Sequence, residues 1–360
     1  MDSDGVLRTL TVVDGYGDGR YAAGATVPVW SAVDPQAAIV TGWSAALTDP
    51  GEWNSTLVMP DADLTVTPTT EGVDLPLVEE TLSLPSGPRA ILGVIPASPV
   101  ALVLFFHGAA YSRAELRDNA AASLARRMVR AGYAVIAIES TVGMSAGSGG
   151  WNAGTTEATN PDLVAVREAL DALRAAGRIP ASLPVVAWGM SSGGMFAHTV
   201  GLALPVDAVA AWCAPGASST LAATHARTAW FLAERDSTFP TGATDAATYA
   251  DDLTSRGVDN LVYVHPATPL YAERFTRVTG IDAERSAAIA ADLRAASAVD
   301  DAGAWLVSGA QATAGLSLPS LSGLTTAQVT AVAAEIEIMA ADHELYDDAG
   351  ARMMDFLVGG

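Results

Sequence analysis

Residues 184–203 read PVVAWGMSSGGMFAHTVGLA: an apolar run that breaks at a glycine, passes two serines and two more glycines, and resumes with helical character. A strand that turns sharply into a helix presents the residue at the turn above the edge of its sheet. Flanking glycines let such a turn close without Cβ clashes, and the helix N-terminus favours negative charge developing beside it. Here Gly189-Met190-Ser191-Ser192-Gly193 has the pattern G-x-S-x-G centred on Ser191, whereas Ser192 has Met190 two residues before it. The same spacing recurs at Gly143-Met144-Ser145-Ala146-Gly147. That copy also follows an apolar run but opens into AGSGGWNAGT, which does not sustain a helix. Ser191 is therefore the expected nucleophile and Ser145 a loop residue.

Working outward, the same alternation extends in both directions from about residue 76. Apolar strand candidates are LVEETLSL, RAILGVI, ALVLFF, YAVIAI, PVVAW, AVAAW, TAWFLA and NLVYV. Helical patterns such as RAELRDNAAASLARRMVRAG, NPDLVAVREALDALRAAG and DAATYADDLTSRG separate several of them. Near-continuous apolar strands alternating with amphipathic helices predict an α/β fold, a mainly parallel sheet covered on both faces. In such sheets sites form at the carboxyl ends of the strands.

A serine hydroxyl is a weak nucleophile, so the reading requires a base and an acid that orients it. TAWFLA runs into Glu234-Arg235-Asp236, which places Asp236 just past a strand end, with Glu234 as its nearest rival. Of the five histidines only His265 and His343 follow Asp236. His265 closes an apolar strand before Pro266 and reads as structural. His343 lies in AADHELYDDAGARMMDFLVGG, ahead of an amphipathic terminal helix with Met353, Phe356 and Leu357 on one side, and is preferred. His198 lies along the helix that follows Ser191 and reads as a core residue. A tetrahedral intermediate also needs two donors. The backbone N–H of Ser192 supplies one, and the turn His107-Gly108-Ala109-Ala110 the other, with Ala109 ahead of Ala110 and His107 read as a structural donor.

Over roughly 76–360 the segments FFHGAA, GMSSGG, ERDSTFP and DHELYDD resemble the α/β-hydrolase superfamily, in particular its dienelactone-hydrolase-like and polyester-cutinase-like branches. The resemblance implies Ser191 as nucleophile, Asp236 as acid and His343 as base, with no metal and no cofactor. It departs from the pattern at 266–338, which intervene between the last strand and the histidine. This stretch carries ERSAAIAADLRAASAVDDAGAWL and a second helical run from Thr325, where Thr325 and Gln328 have capping-box spacing. It is expected to form a helical lid lined by Trp305, Leu306 or the 316–324 stretch. Ala110, Trp151 and Asn152 are further candidates for the substrate cleft.

Residues 5–70 follow a different pattern. Short alternating runs (LRTLTVV, TVPVW, STLVMP, LTVTP) are separated by turn sequences such as DGYGDGR and TDPGEW, which predicts a small all-β module over 1–71 preceding the 72–360 domain. LTVVDGYGDGRYAAGATVPVW, TGWS and LVMPDADLTVTP resemble the divergent internalin-type B-repeat of bacterial surface and secreted proteins. That resemblance implies a secreted or cell-surface setting and contact with a surface or polymer; a passive spacer is the alternative.

Composition narrows the partners. The formal charge is −21, and all 19 basic residues are arginine. A chain this acidic is unsuited to a phosphate backbone or an anionic membrane. No apolar stretch reaches the ~18 residues that a bilayer requires. The opening MDSDGVLRTL shows no export signal, so export is argued from the module alone. The single cysteine, Cys213, sits in the apolar run AVAAWCAPG and reads as a buried thiol. Taken together, these features lead to the expectation of a serine carboxylic-ester hydrolase acting through an acyl-enzyme on a small or polymeric ester. The alternatives are a peptidase or amidase on the same scaffold and a non-catalytic surface-binding protein.

Overall fold

The computed structural model describes residues 6–142, 150–314 and 318–359. The Gly143–Gly147 copy of the serine motif lies outside the described residues.

Near the amino end the strands are short and local. They are β1 (Leu7–Val12), β2 (Gly15–Tyr16), β3 (Gly19–Ala22), β4 (Thr26–Ser31), β5 (Ala38–Trp43), β6 (Asn54–Val58), β7 (Leu64–Val66) and β8 (Pro68–Gly72). They form three small sheets, β3-β1-β7, β2-β4-β6 and β5-β8. Alternation along β1 and β4 buries Leu10, Val12, Val27 and Val29 against Leu57, Met59 and Val66. On the opposite side Thr9, Thr11 and Thr26 remain at the surface, as period-two patterning requires, whereas Trp30 is buried in a second cluster with Val40 and Trp53.

The larger sheet contains β9 (Val78–Leu84), β10 (Gly87–Val94), β11 (Leu102–Phe106), β12 (Ala134–Ile138), β13 (Val185–Met190), β14 (Ala208–Trp212), β15 (Arg227–Ala233) and β16 (Asn260–His265). Its order is β16-β15-β14-β13-β11-β12-β10-β9. Strand β10 runs antiparallel to both of its neighbours, and the remaining pairs are parallel. This is the α/β-hydrolase fold. Each of the eight apolar runs picked out in the sequence supplies one strand.

Helices cover both faces. They are α1 (Asn119–Arg130), α2 (Pro161–Ala175), α3 (Ser192–Ala203), α4 (Ser218–Leu221), α5 (Gly242–Ser255), α6 (Ala283–Ala295), α7 (Gly309–Thr313), α8 (Thr326–Met339) and α9 (Gly350–Val358). Along β11, Leu102, Leu104 and Phe106 pack with α2, α3 and α5. Val103 and Phe105 pack on the other side with α1 and α9. Strands buried on both faces lose the polar alternation of β1 and β4, which is why they read as continuous apolar runs.

The 266–338 insertion has a core of its own, built from Leu270, Phe275, Ile289, Leu293, Val332 and Ile336 among others. This corrects the expected lid lining. Trp305 is buried in that core, with its indole N–H donating to the Thr268 carbonyl at 2.9 Å. Leu306 points to solvent at 61% exposure. Leu318, Leu321 and Leu324 belong to or pack on the same core, and Leu316 lies outside the described residues. A segment of this length needs its large apolar side chains to hold itself together. The capping box at Thr325 and Gln328 is formed, with bonds of 3.2 and 3.0 Å at the start of α8.

Amino-terminal sheets, insertion and histidine loop meet at a buried ionic junction. Arg277 donates to both oxygens of Asp347 at 2.9 Å, and Arg274 and Arg277 flank Glu335 at 2.6 and 3.6 Å. Asp348 pairs with His265 at 3.0 Å, and the His265 Nε2 meets the Ile338 carbonyl at 2.8 Å. Burial alone would lower the His265 pKa, but the Asp348 charge prevails and raises it above 6.5. Loss of water pushes Glu52, which faces Arg127 at 3.3 Å, up to about 7.

A group whose pKa is raised on folding binds more protons in the folded state, so its stabilisation is lost as pH rises through the folded value. His265 and Glu52 act with the same sign. The melting temperature should therefore fall between about pH 6.5 and pH 8.5, above the interval in which the lowered His198 acts with the opposite sign. In His265→Gln, thermal denaturation across that range should give a shallower decline above 6.5. A melting temperature that rises with pH over this interval would contradict the charge assignment.

Candidate active site

Strand β13 is buried throughout and ends at Met190; α3 begins at Ser192. Ser191 forms the turn between them at φ 54°, ψ −120°. A non-glycine residue in such a conformation costs on the order of 1–3 kcal/mol, supplied by surrounding structure. The turn is pinned by the Ser191 N–H donating to the Trp212 carbonyl at 2.9 Å, and by Met195 N–H donating to the Ser191 carbonyl at 2.9 Å. Close backbone approach explains the glycines. A Cβ on Gly193 would lie 2.0 Å from the Phe106 carbonyl oxygen, and one on Gly189 2.4 Å from the Gly193 carbonyl carbon.

Two further loops converge on this turn. Asp236, 6% exposed, sits just past the end of β15 and accepts backbone N–H bonds from Thr238 at 2.9 Å and Phe239 at 2.7 Å. His343 Nδ1 lies 2.9 Å from each Asp236 oxygen, and its Nε2 lies 2.7 Å from Ser191 Oγ. One neutral tautomer satisfies both contacts: Nδ1–H donates to the carboxylate, and Nε2 accepts the serine proton. Glu234, the rival acid, is exposed and accepts from the Ala267 N–H at 3.1 Å.

Of the remaining histidines, His225 is exposed and the other three are engaged elsewhere. His265 is committed to Asp348. His198 Nε2 meets the Ala214 carbonyl at 3.3 Å, and burial lowers its pKa to about 4. His107 Nδ1 donates to the Gly108 carbonyl at 2.8 Å while Nε2 accepts from the Ser140 N–H at 3.3 Å, so this ring ties down the loop after β11.

Gly108, Ala109, Tyr111, Met190, Ser191 and His343 line a cleft of about 160 Å³, closed on its far side by Thr330, Ala333, Ala334 and Glu337 of α8. Among the described residues no protein acceptor takes the N–H of Ala109 or Ser192. Tyr111, Thr330, Ala334 and Glu344 are shared with an adjoining cavity of about 570 Å³ between α1 and α8. Ala110, at φ 64°, lines that larger cavity. The insertion thus contributes small and polar residues of α8 to the cleft lining, in place of the expected leucines and tryptophan.

Trp151 is a second correction. Its ring stacks on Phe196 at 4.4 Å and meets Phe106 edge-on at 5.1 Å; its indole N–H donates to the His107 carbonyl at 2.9 Å. It supports the loop from beneath and lines neither cavity, because a large ring beside the apolar end of β11 is better buried than exposed. Asn152 is likewise structural, donating through Nδ2 to Thr141 Oγ1 and to Asp162. The Ser192 hydroxyl accepts from the Trp151 N–H at 3.2 Å, which ties α3 to that loop.

Sequence reasoning missed three carboxyls. Asp342 accepts from Ser237, His343 and Ala310 N–H groups at 2.8, 2.9 and 2.8 Å, and so anchors the histidine from behind. Burial alone would raise the Asp342 pKa, but these bonds outweigh it and hold the carboxyl below 3.8. Glu115 accepts the Gly108 N–H at 2.7 Å, and its burial pushes its pKa well above 4.5. Glu344 is pushed up to about 8 by loss of water, with Glu337 and Asp118 adding to the effect. In the sequence all three look like ordinary loop or helix acids; only the adjacency of Asp342 and Glu344 to His343 marks them.

Cys213 Sγ lies with carboxylate and imidazole atoms of Asp236 and His343, all within 4.8 Å of one another. The thiol donates to the Glu344 carbonyl at 3.4 Å, and burial raises its pKa well above 9.0. Asp236 and His343 are committed to each other.

No family model matches the sequence, and no curated protein matches it. Among solved structures, the chain is similar to a predicted CIB-like hydrolase from Thermoplasma acidophilum, at 16% identity and a TM-score of 0.41 over 54% of this chain and 89% of that one. It is also similar to dienelactone hydrolase from Anabaena variabilis, at 20% identity and a TM-score of 0.40 over 54% and 87%. A third likeness is to a cold-adapted esterase from an Arctic intertidal metagenomic library, at 17% identity and 0.39 over 52% and 83%. The fold rests on the strand order above, independently of these likenesses.

The glycine contacts give a direct test of the turn. Gly193→Ala should cost about 3 kcal/mol or more, since the added carbon meets rigid backbone. Gly72→Ala, whose Cβ would meet nothing within 4 Å, should stay within about 0.5 kcal/mol of wild type. Denaturant unfolding of the two variants would refute the packing argument if their costs were equal.

Proposed function

We propose that the protein is a serine carboxylic-ester hydrolase. The supporting observation is the continuous relay from Ser191 Oγ to His343 Nε2 at 2.7 Å and from His343 Nδ1 to Asp236 at 2.9 Å. In this reading His343 takes the Ser191 proton as the oxygen attacks an ester carbonyl. The Ala109 and Ser192 N–H groups hold the resulting oxyanion, a role worth about 3–4 kcal/mol per donor. His343 then protonates the departing alcohol, leaving an acyl group on Ser191. Water, deprotonated by the same imidazole, releases the acid.

The acyl group extends into the cavity between α1 and α8. Its walls include Ala120, Ala121, Ala327, Ala331, Ile338 and Leu345, a surface suited to an apolar chain. The resemblance of the amino-terminal segment to surface-protein repeats supports a secreted or cell-surface setting and a polymeric ester as substrate, both carried as parts of this proposal.

Turnover of p-nitrophenyl esters tests the reading. Ser191→Ala, His343→Ala and Asp236→Asn should each lose about 10³-fold or more in kcat, while Ser145→Ala should retain wild-type rates. Hydrolysis of peptide anilides in preference to esters would make the enzyme an amidase. Undiminished ester hydrolysis in Ser191→Ala would end the proposal. For the acyl cavity, Ala331→Leu, which lines that cavity and not the cleft, should lower kcat/KM for a dodecanoyl ester about tenfold while sparing the acetyl ester. Equal losses across chain lengths would remove the acyl group from that cavity.

A further inference from the structure

The segment Asp342–Asp348 carries His343, and three of its four acids are held by different parts of the molecule. Asp342 is held by the turn at Ser237 and by α7. Asp347 is held by Arg277 of the insertion and Asp348 by His265 at the end of β16. Two further bonds come from the amino-terminal sheets. Trp53 Nε1 donates to Asp347 Oδ1 at 3.1 Å, and Asn54 Nδ2 donates to Asp348 Oδ2 at 3.1 Å.

Trp53 is only 2% exposed, and its ring lies 3.8 Å from the Arg277 guanidinium and 4.7 Å from that of Arg274. Beside it Glu52 accepts the Ala351 N–H at 2.6 Å, at the start of α9, and pairs with Arg127 of α1. Trp30 stacks on Tyr271 of the insertion at 4.1 Å. A spacer or freely hinged adhesion module would not place its largest aromatic side chain between the two arginines and the aspartate of another domain's loop.

We infer that the amino-terminal β sheets act, through Trp53 and Asn54, as a positioning element for the histidine loop. Removing the indole N–H leaves Asp347 short of one donor in a site sealed from water, where buried charges need their remaining bonds satisfied. The loop then relaxes, and His343, four residues before Asp347, moves relative to Ser191. Trp53 and Asn54 touch neither substrate nor the reacting atoms; they act through the loop. Arg274 and Arg277 carry the same constraint to Glu335 of α8, so the wall of the cleft and its base share one support.

The inference rests on the proposed hydrolase reading, and its test includes a readout independent of activity. In the full chain, Trp53→Phe keeps a ring beneath the arginines but removes the donor. Leu10→Ala loosens the core of the same sheets away from the junction. Steady-state hydrolysis of a p-nitrophenyl ester and the low-field proton resonance of the His343 Nδ1–H would be recorded for both. Trp53→Phe should lower kcat about tenfold with KM nearly unchanged, as expected for a catalytic group displaced by less than an ångström. It should also shift or broaden the His343 resonance. Leu10→Ala should lower the melting temperature and move neither readout.

Wild-type kcat and an unmoved resonance in Trp53→Phe would overturn the inference. So would the same losses in Leu10→Ala, which would trace them to general destabilisation. If the wild-type protein shows the resonance but hydrolyses no ester, the hydrolase reading fails, and the resonance in Trp53→Phe still decides the positioning role.

Discussion

The structure depends on one close approach of backbone to backbone. Gly193, at the start of α3, lies so near the Phe106 and His107 carbonyls that no side chain fits there. That contact sets the distance between the end of β13 and the loop after β11. It forces the turn at Ser191 into a conformation that L-residues rarely adopt, and brings the Gly108-Ala109 turn to the same cleft as the serine hydroxyl. The adjoining strand ends inherit the geometry: Trp212 of β14 accepts the Ser191 N–H, and Asp236 follows β15 at the same edge of the sheet.

A precise turn is of no use to the proposed chemistry unless the imidazole is equally well placed, and His343 sits on a loop with little regular structure of its own. The molecule compensates with anchors. Tyr346 donates its hydroxyl to the Leu232 carbonyl at 3.1 Å, and its backbone carbonyl accepts from the Trp212 indole N–H at 3.0 Å. Asp342, Asp347 and Asp348 each take bonds from a separate element. Removing so many charges from water costs several kcal/mol per ion before pairing. Their concentration on one loop beside Ser191 is the arrangement expected where conformational uniqueness matters more than maximal stability.

The sheet was legible in the sequence because strands buried on both faces leave continuous apolar runs, and PVVAW, AVAAW and TAWFLA have no competing reading. Ser191, Asp236 and His343 were legible as candidates because chain order and strand-end position constrain them, and the structure brings all three within hydrogen-bond distance. What lines the cleft was not. Thr330 and Ala334 of α8 have no pattern that marks them as a wall, whereas Trp305 and Leu306 looked like lining only because they are large and apolar. Trp151 misled for the same reason. Trp53 and the acids of DHELYDD find each other across nearly the whole length of the chain, and no local spacing encodes such a contact.

The central claim is that the strained serine, and neither its neighbour nor its twin motif, becomes covalently acylated. Acid-quenching the protein with p-nitrophenyl acetate, followed by peptide mass spectrometry, tests it directly. The account predicts one acetyl group on the peptide containing Ser191, located by fragmentation at Ser191 and absent when His343 is replaced by alanine. An acetyl group on Ser192 or Ser145, or undiminished acetylation of Ser191 without His343, would contradict it.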